Sequence, residues 1–305
     1  MRAFVTGGHG FVGRWLTEHL SACGDEVEAP DESIDITDPT LLAPAMSRAR
    51  PEAVYHLAAL AHVGDSWSDP HEVFRVNALG TLGVLEAARQ IEPRPRVLVV
   101  SSAEVYGSVA PHDLPLTESQ PLAPTTPYAA SKVAAEYLGV QAHLGHGLEV
   151  VRVRSFNHVG PGQSTRFAVA GMASRILESQ AAGRKTLMVG NLSPRRDFTD
   201  VRDVVRAYRL VIELGGAGQV YNVCSGSDIS IGDLARRMIE LAGVDLELQT
   251  DPELVRASDL PVLRGDPSLL ATTTGWQPVF TLDDTLSDVL ASARQDLAGE
   301  SPRGR

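Results

Sequence analysis

Ala3-Phe4-Val5-Thr6-Gly7-Gly8-His9-Gly10-Phe11-Val12-Gly13 is the stretch that decides the fold of this chain. An apolar run typical of a strand breaks into glycines, and an amphipathic run with helical spacing follows. This order forms an anion site, because free backbone N–H groups and the helix dipole face the ligand. Gly10 lets the backbone approach a pyrophosphate, and Gly13 lets the helix pack closely on the strand. We therefore predict a dinucleotide site that includes Gly7, Gly10, Phe11, Val12 and Gly13.

An acidic pair follows the next predicted strand. Glu26-Val27-Glu28-Ala29 has the pattern of that strand, and the run ends at Asp31-Glu32. A carboxylate at this point can hydrogen-bond an adenosine ribose and would repel a 2′-phosphate. A solvated loop carboxylate is an equally good interpretation. On the first interpretation Asp31 binds the cofactor, which is NAD or NADP with NAD slightly favoured.

The rest of the first half predicts more strands of the same kind. The run 53–59 reads as a buried strand that ends in Leu57-Ala58-Ala59, where the small side chains of the two alanines leave room for a flat ligand. The run 97–102 is a second apolar strand, and residues 74–88 between them have helical periodicity. Strands that alternate with helices predict an α/β fold with a doubly wound parallel sheet, the Rossmann arrangement.

The second half is less uniform. A strand at 149–154 leads into a predicted loop at 155–162, helices are expected at 167–180 and 201–214, and a strand at 219–223. We find no repeat or linker, so we expect interleaved domains. The dinucleotide-binding domain is predicted at 1–165 plus about 199–224, and a smaller C-terminal substrate-binding lobe at about 166–198 plus 225–297. Residues 298–305 are predicted to form a disordered tail.

Composition excludes several classes of protein. The chain has 305 residues, 43% of them hydrophobic, and a net charge of −11, which argues against a nucleic-acid or anionic-membrane surface. Cys23 and Cys224 form no disulfide or metal pattern, and no histidines stand at metal-ligand spacing, so no metal is expected. With no leader sequence and no apolar run near ~18 residues, we expect a cytoplasmic protein.

A tyrosine and a lysine mark the predicted chemistry. Tyr128 and Lys132 are four residues apart at the start of a helical pattern, so they share one face. A neighbouring ammonium favours phenolate and is expected to lower the pKa of Tyr128, which could then exchange a proton with a sugar oxygen. Ser102, at the end of a strand, could hydrogen-bond the same oxygen. The alternative is a helix surface that carries both residues by chance.

These residues resemble a known family. The extended short-chain dehydrogenase/reductases are similar in Thr6-Gly7-Gly8-His9-Gly10-Phe11-Val12-Gly13, His56-Leu57-Ala58-Ala59, Asn77, Ser102 and Tyr128-x-x-x-Lys132. The resemblance implies that Lys132 also holds the nicotinamide ribose and that Asp35-Ile36 lies by the adenine. It further implies that Asn77 supports the sheet near the cofactor, and that two copies pair as a homodimer through the helix of Tyr128.

Other motifs narrow the resemblance to a substrate class. Ser155-Phe156-Asn157-His158-Val159-Gly160-Pro161-Gly162-Gln163, Val189-Gly190-Asn191-Leu192 and the run 196–203 look like the GDP-4-keto-6-deoxymannose reductases. The related GDP-mannose 4,6-dehydratases share a glutamate at Glu104, which therefore does not separate the two groups. By the same resemblance, Arg196 and Arg256 bind the diphosphate and Asn157 contacts the nucleotide sugar. Asn191, on a loop after a strand-like run, is expected to contact either the same phosphates or the base.

The expected function is thus reduction of a GDP-4-keto-6-deoxymannose to GDP-D-rhamnose with NAD(P)H. Ser102, Tyr128 and Lys132 are the expected catalytic residues, and Glu104, Asn157, Asn191, Arg196 and Arg256 the expected substrate-binding residues. A 4-epimerase or a 4,6-dehydratase would use the same three catalytic residues. A non-catalytic dinucleotide sensor is the remaining alternative, and such a sensor would have no need of Tyr128 and Lys132.

Overall fold

The structure, a computed structural model, describes residues 1–31, 33–251 and 260–299. Its strands are, in chain order, β1 (Arg2–Thr6), β2 (Glu26–Glu28), β3 (Ala53–His56), β4 (Arg96–Ser102), β5 (Val150–Ser155), β6 (Asn157–Val159), β7 (Thr186–Val189), β8 (Arg195–Asp200), β9 (Val220–Val223), β10 (Asp228–Ser230), β11 (Glu247–Thr250) and β12 (Val262–Leu263). Its helices are α1 (Phe11–Ala22), α2 (Pro39–Ala49), α3 (Pro70–Phe74), α4 (Gly80–Arg89), α5 (Pro127–His146), α6 (Ala168–Ala181), α7 (Val201–Leu214), α8 (Ile231–Ala242), α9 (Ser268–Thr274) and α10 (Leu282–Leu297).

A six-stranded sheet in the order β2-β1-β3-β4-β5-β9 carries the larger part of the fold. All its neighbouring strands run parallel. Helices α1 and α7 cover one face, where Val5, Tyr55 and Tyr208 are buried together. Helices α2, α4 and α5 cover the other face, around Phe4 and Val84. Phe4 and Val5 are neighbours in β1 and point to opposite faces, as the strand pleat requires. The prediction of a doubly wound parallel sheet is confirmed.

The strands outside the six-stranded sheet form smaller sheets. Strand β8 pairs with β10, β12 and β6, and β7 pairs with β11. Helices α6, α8 and α10 pack over them around a core that includes Met172, Leu234 and Leu286. The prediction of a loop throughout 155–162 was wrong in its first part. Asn157–Val159 forms β6 because these residues pair in parallel with Phe198–Asp200 of β8, some forty residues later.

Two helix starts are fixed by local signals. The Thr126 hydroxyl accepts a hydrogen bond from the Ala129 N–H at 3.0 Å, and Pro127 occupies the first helical position, so α5 begins one residue before Tyr128. The Thr281 and Asp284 side chains form a capping box at the start of α10.

Among the helices in the described ranges, none is long and apolar enough to cross a bilayer. Of the predicted tail, residues 300–305 lie outside the described residues.

Candidate active site

The glycine turn between β1 and α1 is a close-packed cradle. Gly7 has φ +71°, and a Cβ added there would lie 2.7 Å from the Ala58 nitrogen. A Cβ on Gly13 would lie 2.1 Å from the Gly7 carbonyl oxygen, so helix and turn touch through backbone alone. Among the described residues, a Cβ on Gly10 would have only the Gly7 oxygen near it, at 3.2 Å. The turn is therefore tight on its protein side and open at Gly10, which fits a pyrophosphate at the N-terminus of α1.

The carboxylates predicted beside the adenosine are both exposed. Asp31 Oδ1 accepts the Ser33 N–H at 2.9 Å and also the Ser33 hydroxyl, and these bonds lower the pKa of Asp31. Asp35 Oδ1 accepts from the Thr37 N–H at 2.8 Å, and its other oxygen pairs with Arg75 at 3.2 Å. Ile36 is buried, and its side chain packs where a Cβ on Gly80 would otherwise lie. Glu32 lies outside the described residues.

The end of β3 lies directly against the glycine turn. Leu57 N–H donates to the Thr6 carbonyl at 3.2 Å, and Ala58 N–H donates to the Thr6 hydroxyl at 3.4 Å. Leu57, Ala58 and Ala59 are only partly buried, so the chain there is accessible at the carboxyl edge of the sheet. The two alanines lie where the sequence predicts that a flat ligand binds.

Tyr128 and Lys132 lie one turn apart in α5, and both are buried, at 8% and 7% exposure. The Lys132 ammonium donates to the Val100 carbonyl at 2.9 Å and stands 6.0 Å from the centre of the Tyr128 ring. Ser102, at the end of β4, lies near enough to the Tyr128 side chain for its hydroxyl to act on the phenol. The structure thus brings the three predicted catalytic residues together.

The expected lowering of the tyrosine pKa was wrong for this structure. Burial raises the pKa of Tyr128 to about 12; the Ser102 hydroxyl opposes this rise and the Glu104 carboxylate adds to it. Burial also lowers the pKa of Lys132, to about 8. Because the Lys132 nitrogen is held at the Val100 carbonyl rather than at the phenol oxygen, it does not offset the desolvation of Tyr128. At neutral pH, therefore, the site presents a protonated phenol beside a charged ammonium.

Ser102 and Glu104 occupy a short 3₁₀ turn that continues β4. Ser102 is its N-cap and accepts from the Glu104 N–H at 3.2 Å. The turn ends at Tyr106, whose hydroxyl donates to Asn222 Oδ1 at 2.7 Å. Arg154 of β5 donates to the same hydroxyl at 3.0 Å. These bonds attach the Ser102 turn to β5 and, through Asn222, to the edge strand β9.

The sugar-binding residues predicted by resemblance lie around β6 and β8. Asn157 is exposed in β6, and Asn191 follows β7, where its Oδ1 accepts the Ser193 N–H at 3.1 Å. Arg196 is 8% exposed in β8, and its guanidinium donates to the Leu260 carbonyl at 2.7 Å. Arg256 lies outside the described residues. Arg196 is therefore engaged with the chain that follows the undescribed segment.

The sequence analysis missed two polar groups buried beneath this site. Glu136, fully buried in α5, pairs with Arg152 at 3.2 Å and Arg154 at 2.7 Å. His56 at the end of β3 is also buried, between two threonine hydroxyls. A usable signal was present in both cases, because His56 and the two arginines interrupt strands that are otherwise apolar.

Comparison with known proteins agrees with this geometry. A family model described as GDP-mannose 4,6 dehydratase matches residues 31–289. The chain belongs to this family of extended short-chain dehydrogenase/reductases. This extended dehydrogenase/reductase is 38% identical over 294 residues to GDP-6-deoxy-D-mannose reductase of Pseudomonas aeruginosa, covering 95% of the chain and 96% of the relative.

Solved structures of the extended dehydrogenase/reductases are also similar throughout. RMD from Pseudomonas aeruginosa complexed with NADPH has a TM-score of 0.89 at 35% identity, over 97% of this chain and 100% of that one. UDP-glucose 4-epimerase from Thermus thermophilus in complex with NAD has a TM-score of 0.86 at 31% identity, over 96% and 99%. Reductase and epimerase therefore share this architecture.

Proposed function

We propose that this chain reduces the 4-keto group of GDP-4-keto-6-deoxy-D-mannose to give GDP-D-rhamnose, with NADH or NADPH. The observation that carries the proposal is the grouping of the buried Tyr128 with Ser102 and Lys132; burial raises the pKa of the phenol and so keeps it protonated. A reduction needs an acid at this place, because the ketone oxygen gains negative charge as hydride reaches its carbon. Similarity to a GDP-6-deoxy-D-mannose reductase over nearly the whole chain supports the choice of sugar.

Each catalytic residue has a separate task. Tyr128 gives its proton to the oxygen on C4, and Ser102 donates a second hydrogen bond to that oxygen. Lys132 is charged below a pH of about 8. When the dinucleotide binds, the Lys132 ammonium turns from the Val100 carbonyl to the nicotinamide ribose, from where it stabilises the phenolate left after proton transfer. The nicotinamide, when bound, supplies the hydride.

The dinucleotide is proposed to lie along the carboxyl edge of the large sheet. Gly7, Gly10 and the first residues of α1, Phe11 to Gly13, hold its diphosphate through backbone N–H groups. Asp31 binds the adenosine ribose, and Asp35-Ile36 flanks the adenine. The run Leu57–Ala59 lines the path between the adenosine and Tyr128.

The nucleotide sugar is proposed to lie between this edge and the strands around β8. Arg196 and Arg256 bind its diphosphate with charge-assisted hydrogen bonds, which an acidic chain needs in order to hold an anion. Asn157 and Asn191 contact the sugar nucleotide, and Glu104 orients the ring beside Tyr128.

The test supplies GDP-4-keto-6-deoxymannose with NADH or NADPH and follows the absorbance of the reduced nicotinamide. Stoichiometric cofactor oxidation, with a product two mass units heavier than the ketone, is expected. NMR then assigns the configuration at C4. Tyr128→Phe, run in parallel, controls for oxidation that does not need the site.

A 4-epimerase or a GDP-mannose 4,6-dehydratase is the second candidate, and Glu104 is the residue that would serve the dehydratase as its base. Its carboxylate acts electrostatically on Tyr128 and could remove a proton from a carbon beside the keto group. A dehydration also needs an acid for the C6 hydroxyl, and the neighbouring Ala103 is apolar. Conversion of GDP-mannose without added cofactor, or interconversion of C4 epimers, would contradict the reductase proposal.

We further propose that the protein forms a homodimer through α5. Tyr137 and Leu144 lie seven residues apart on this helix, so they share a face, and they are 59% and 78% exposed. Sedimentation equilibrium of Leu144→Glu is expected to give monomer where the unmodified chain gives dimer. The division into a dinucleotide domain and a sugar lobe, and a cytoplasmic location, stay predictions.

A further inference from the structure

His56 is a buried polar residue at the carboxyl edge of the large sheet. It ends β3 and is 4% exposed. Its Nδ1 lies 2.8 Å from the hydroxyl oxygen of Thr6 at the end of β1, and its Nε2 lies 2.9 Å from the hydroxyl oxygen of Thr81 in α4. Both threonines are buried, at 1% and 2% exposure. The ring therefore bridges the strand that precedes the glycine turn and a helix that packs on α5.

The neighbouring bonds fix the proton on one ring nitrogen. Thr81 donates its hydroxyl proton to the Asn77 carbonyl at 2.6 Å, so its oxygen accepts from an Nε2–H of His56. Nδ1 then carries a lone pair and accepts from the Thr6 hydroxyl, whose oxygen accepts the Ala58 N–H at 3.4 Å. Every donor along this line faces an acceptor when the imidazole is neutral and protonated on Nε2.

The line continues from Asn77 to the catalytic helix. Asn77 lies in a π-helical turn, Arg75–Leu79, and is 1% exposed. Its Nδ2 donates to the Ser131 hydroxyl at 2.9 Å, and Ser131 donates to the carbonyl of Tyr128 at 2.7 Å. Thus Asn77 connects Thr81 of α4 to the first turn of α5 through its own carbonyl and side-chain amide. We call the set Thr6, His56, Thr81, Asn77 and Ser131 the threonine–histidine path.

We propose that His56 is a positioning residue of this enzyme, which through the threonine–histidine path holds the glycine turn and the first turn of α5 at a fixed separation. The inference rests on the proposed reduction, in which hydride and proton must reach the same carbonyl group. A neutral path suits this task, since it adds no charge beside Lys132. In keeping with this, burial and, to a smaller extent, the nearby Lys132 charge lower the pKa of His56 to about 3.

The first experiment breaks the path at its middle. Thr81→Val keeps the shape of the side chain and removes both hydrogen bonds, whereas Thr81→Ser keeps the hydroxyl. We expect Thr81→Val to lower kcat about tenfold with the KM of the nucleotide sugar within about twofold, because small misplacements of reacting groups reduce turnover strongly. Thr81→Ser is expected to restore kcat to within about threefold of the unmodified chain.

The matched control is Thr285→Val in α10, which removes a buried threonine bond to Asp200 at 2.7 Å among the smaller strands. Both Val variants lose stability, but only Thr81→Val should lose kcat. Equal kcat in the two variants would mean that the path is a structural feature without a role in positioning.

The second experiment uses no nucleotide sugar. Thr6→Val and Ser131→Ala alter the two ends of the path, and a double-mutant cycle on the dissociation constant of NADH tests whether the ends communicate. We expect Ser131→Ala to weaken NADH binding in the unmodified chain and to have no further effect in Thr6→Val. Effects that multiply would overturn the proposal.

The tautomer gives an independent spectroscopic test. Long-range ¹H–¹⁵N spectra of the imidazoles are expected to find His56 protonated on Nε2 alone between pH 5 and 8, and an Nδ1–H tautomer or an imidazolium would refute the assignment. Failure of the unmodified chain to turn over any nucleotide sugar would refute only the proposed function, because the NADH cycle and the spectra do not involve the sugar.

Discussion

The polar groups buried on the two sides of the proposed cleft are of different kinds. Along the line from the glycine turn to the first turn of α5 they are neutral, as in Thr6, His56 and Asn77, and the buried charged groups Lys132 and Glu136 lie further along α5. In β8 they are charged: Arg196 is 8% exposed, and Asp197 is fully buried. Neutral hydrogen bonds fix geometry without adding an electric field, whereas buried charges make stronger bonds and attract or repel a charged ligand. We propose that the large-sheet side aligns the reaction and that the β8 side holds the anion.

Asp197 illustrates how the charged side is held together. One oxygen accepts the N–H and the hydroxyl of Ser225 at 2.8 and 2.6 Å, and the other accepts the Gly226 N–H at 2.9 Å. Burial raises the pKa of Asp197, and these donors oppose the rise. The carboxylate thereby fastens β8 to the turn after β9, next to Arg196. The following variants test the contrast between the two sides.

Tyr128→Phe, on the large-sheet side, is expected to have the largest effect on turnover. Only a hydroxyl is lost, so turnover should fall about 10³-fold while NADH and the nucleotide sugar bind within about threefold of normal. Steady-state kinetics and calorimetry measure the two effects. Tyr137→Phe, on the exposed face of the same helix, should behave as the unmodified chain. Near-normal turnover in Tyr128→Phe would remove it as the acid.

The pH dependence of kcat tests the charge of Lys132 on that side. Burial lowers the pKa of Lys132 from 10.5 to about 8, so its charged form is lost as pH rises through 8. The rate of reduction should be level below this pH and fall by up to about tenfold per unit above it. Lys132→Arg should shift the fall to higher pH. A level profile up to pH 10 in the unmodified chain would contradict this assignment.

Arg196→Ala removes a positive charge from the β8 side and is expected to weaken binding of the nucleotide sugar. We expect the KM of the nucleotide sugar to rise about tenfold and that of NADH to stay within about twofold, since a charge-assisted bond to the diphosphate is lost. The neighbouring Arg195→Ala is the control, because the Arg195 side chain is 44% exposed and pairs with Asp228. An equal loss for both ligands would place Arg196 at the dinucleotide or indicate a folding defect.

Asp31→Asn should have the smallest effect. The Ser33 bonds lower the pKa of Asp31, so the carboxylate is charged at pH 7 and disfavours a 2′-phosphate. The unmodified chain is therefore expected to use NADH at least as well as NADPH, and Asp31→Asn to raise kcat/KM for NADPH about threefold. Comparison of kcat/KM for the two cofactors decides this. A strong preference of the unmodified chain for NADPH would overturn the prediction.

The features that the sequence predicted best are those that residues close together in the chain determine. The apolar run and glycines of β1 and α1 specify a turn in which Gly7 must take positive φ and Gly13 must lie against backbone. Helix α7 was predicted at 201–214, the range it occupies, because its apolar residues repeat at helical spacing and Asp200 caps it. The spacing of Tyr128 and Lys132 was also enough to place both on one face of α5.

What sequence could not predict depends on residues far along the chain. Strand β6 forms only because β8 pairs with it, and the periodicity of Asn157–Val159 contains no trace of that partner. The raised pKa of Tyr128 follows from burial, which only the folded chain determines. The partners of His56 stand 50 and 25 residues away, so its position in a strand motif gave no indication of what it bonds.

The place of β9 in the chain connects the six-stranded sheet to the sheet around β8, so the two should unfold together. It forms the edge of the six-stranded sheet, yet in the chain it lies between β8 and β10, which pair with each other elsewhere. Asp197 of β8 is hydrogen-bonded to the turn that follows β9, so unfolding of the sheet around β8 would also detach β9 from the large sheet. Heat should therefore unfold the molecule in a single cooperative transition. For the same reason, sugar specificity cannot be exchanged between relatives by grafting one contiguous block. Several stretches of chain must be replaced together, with β9 retained in the recipient.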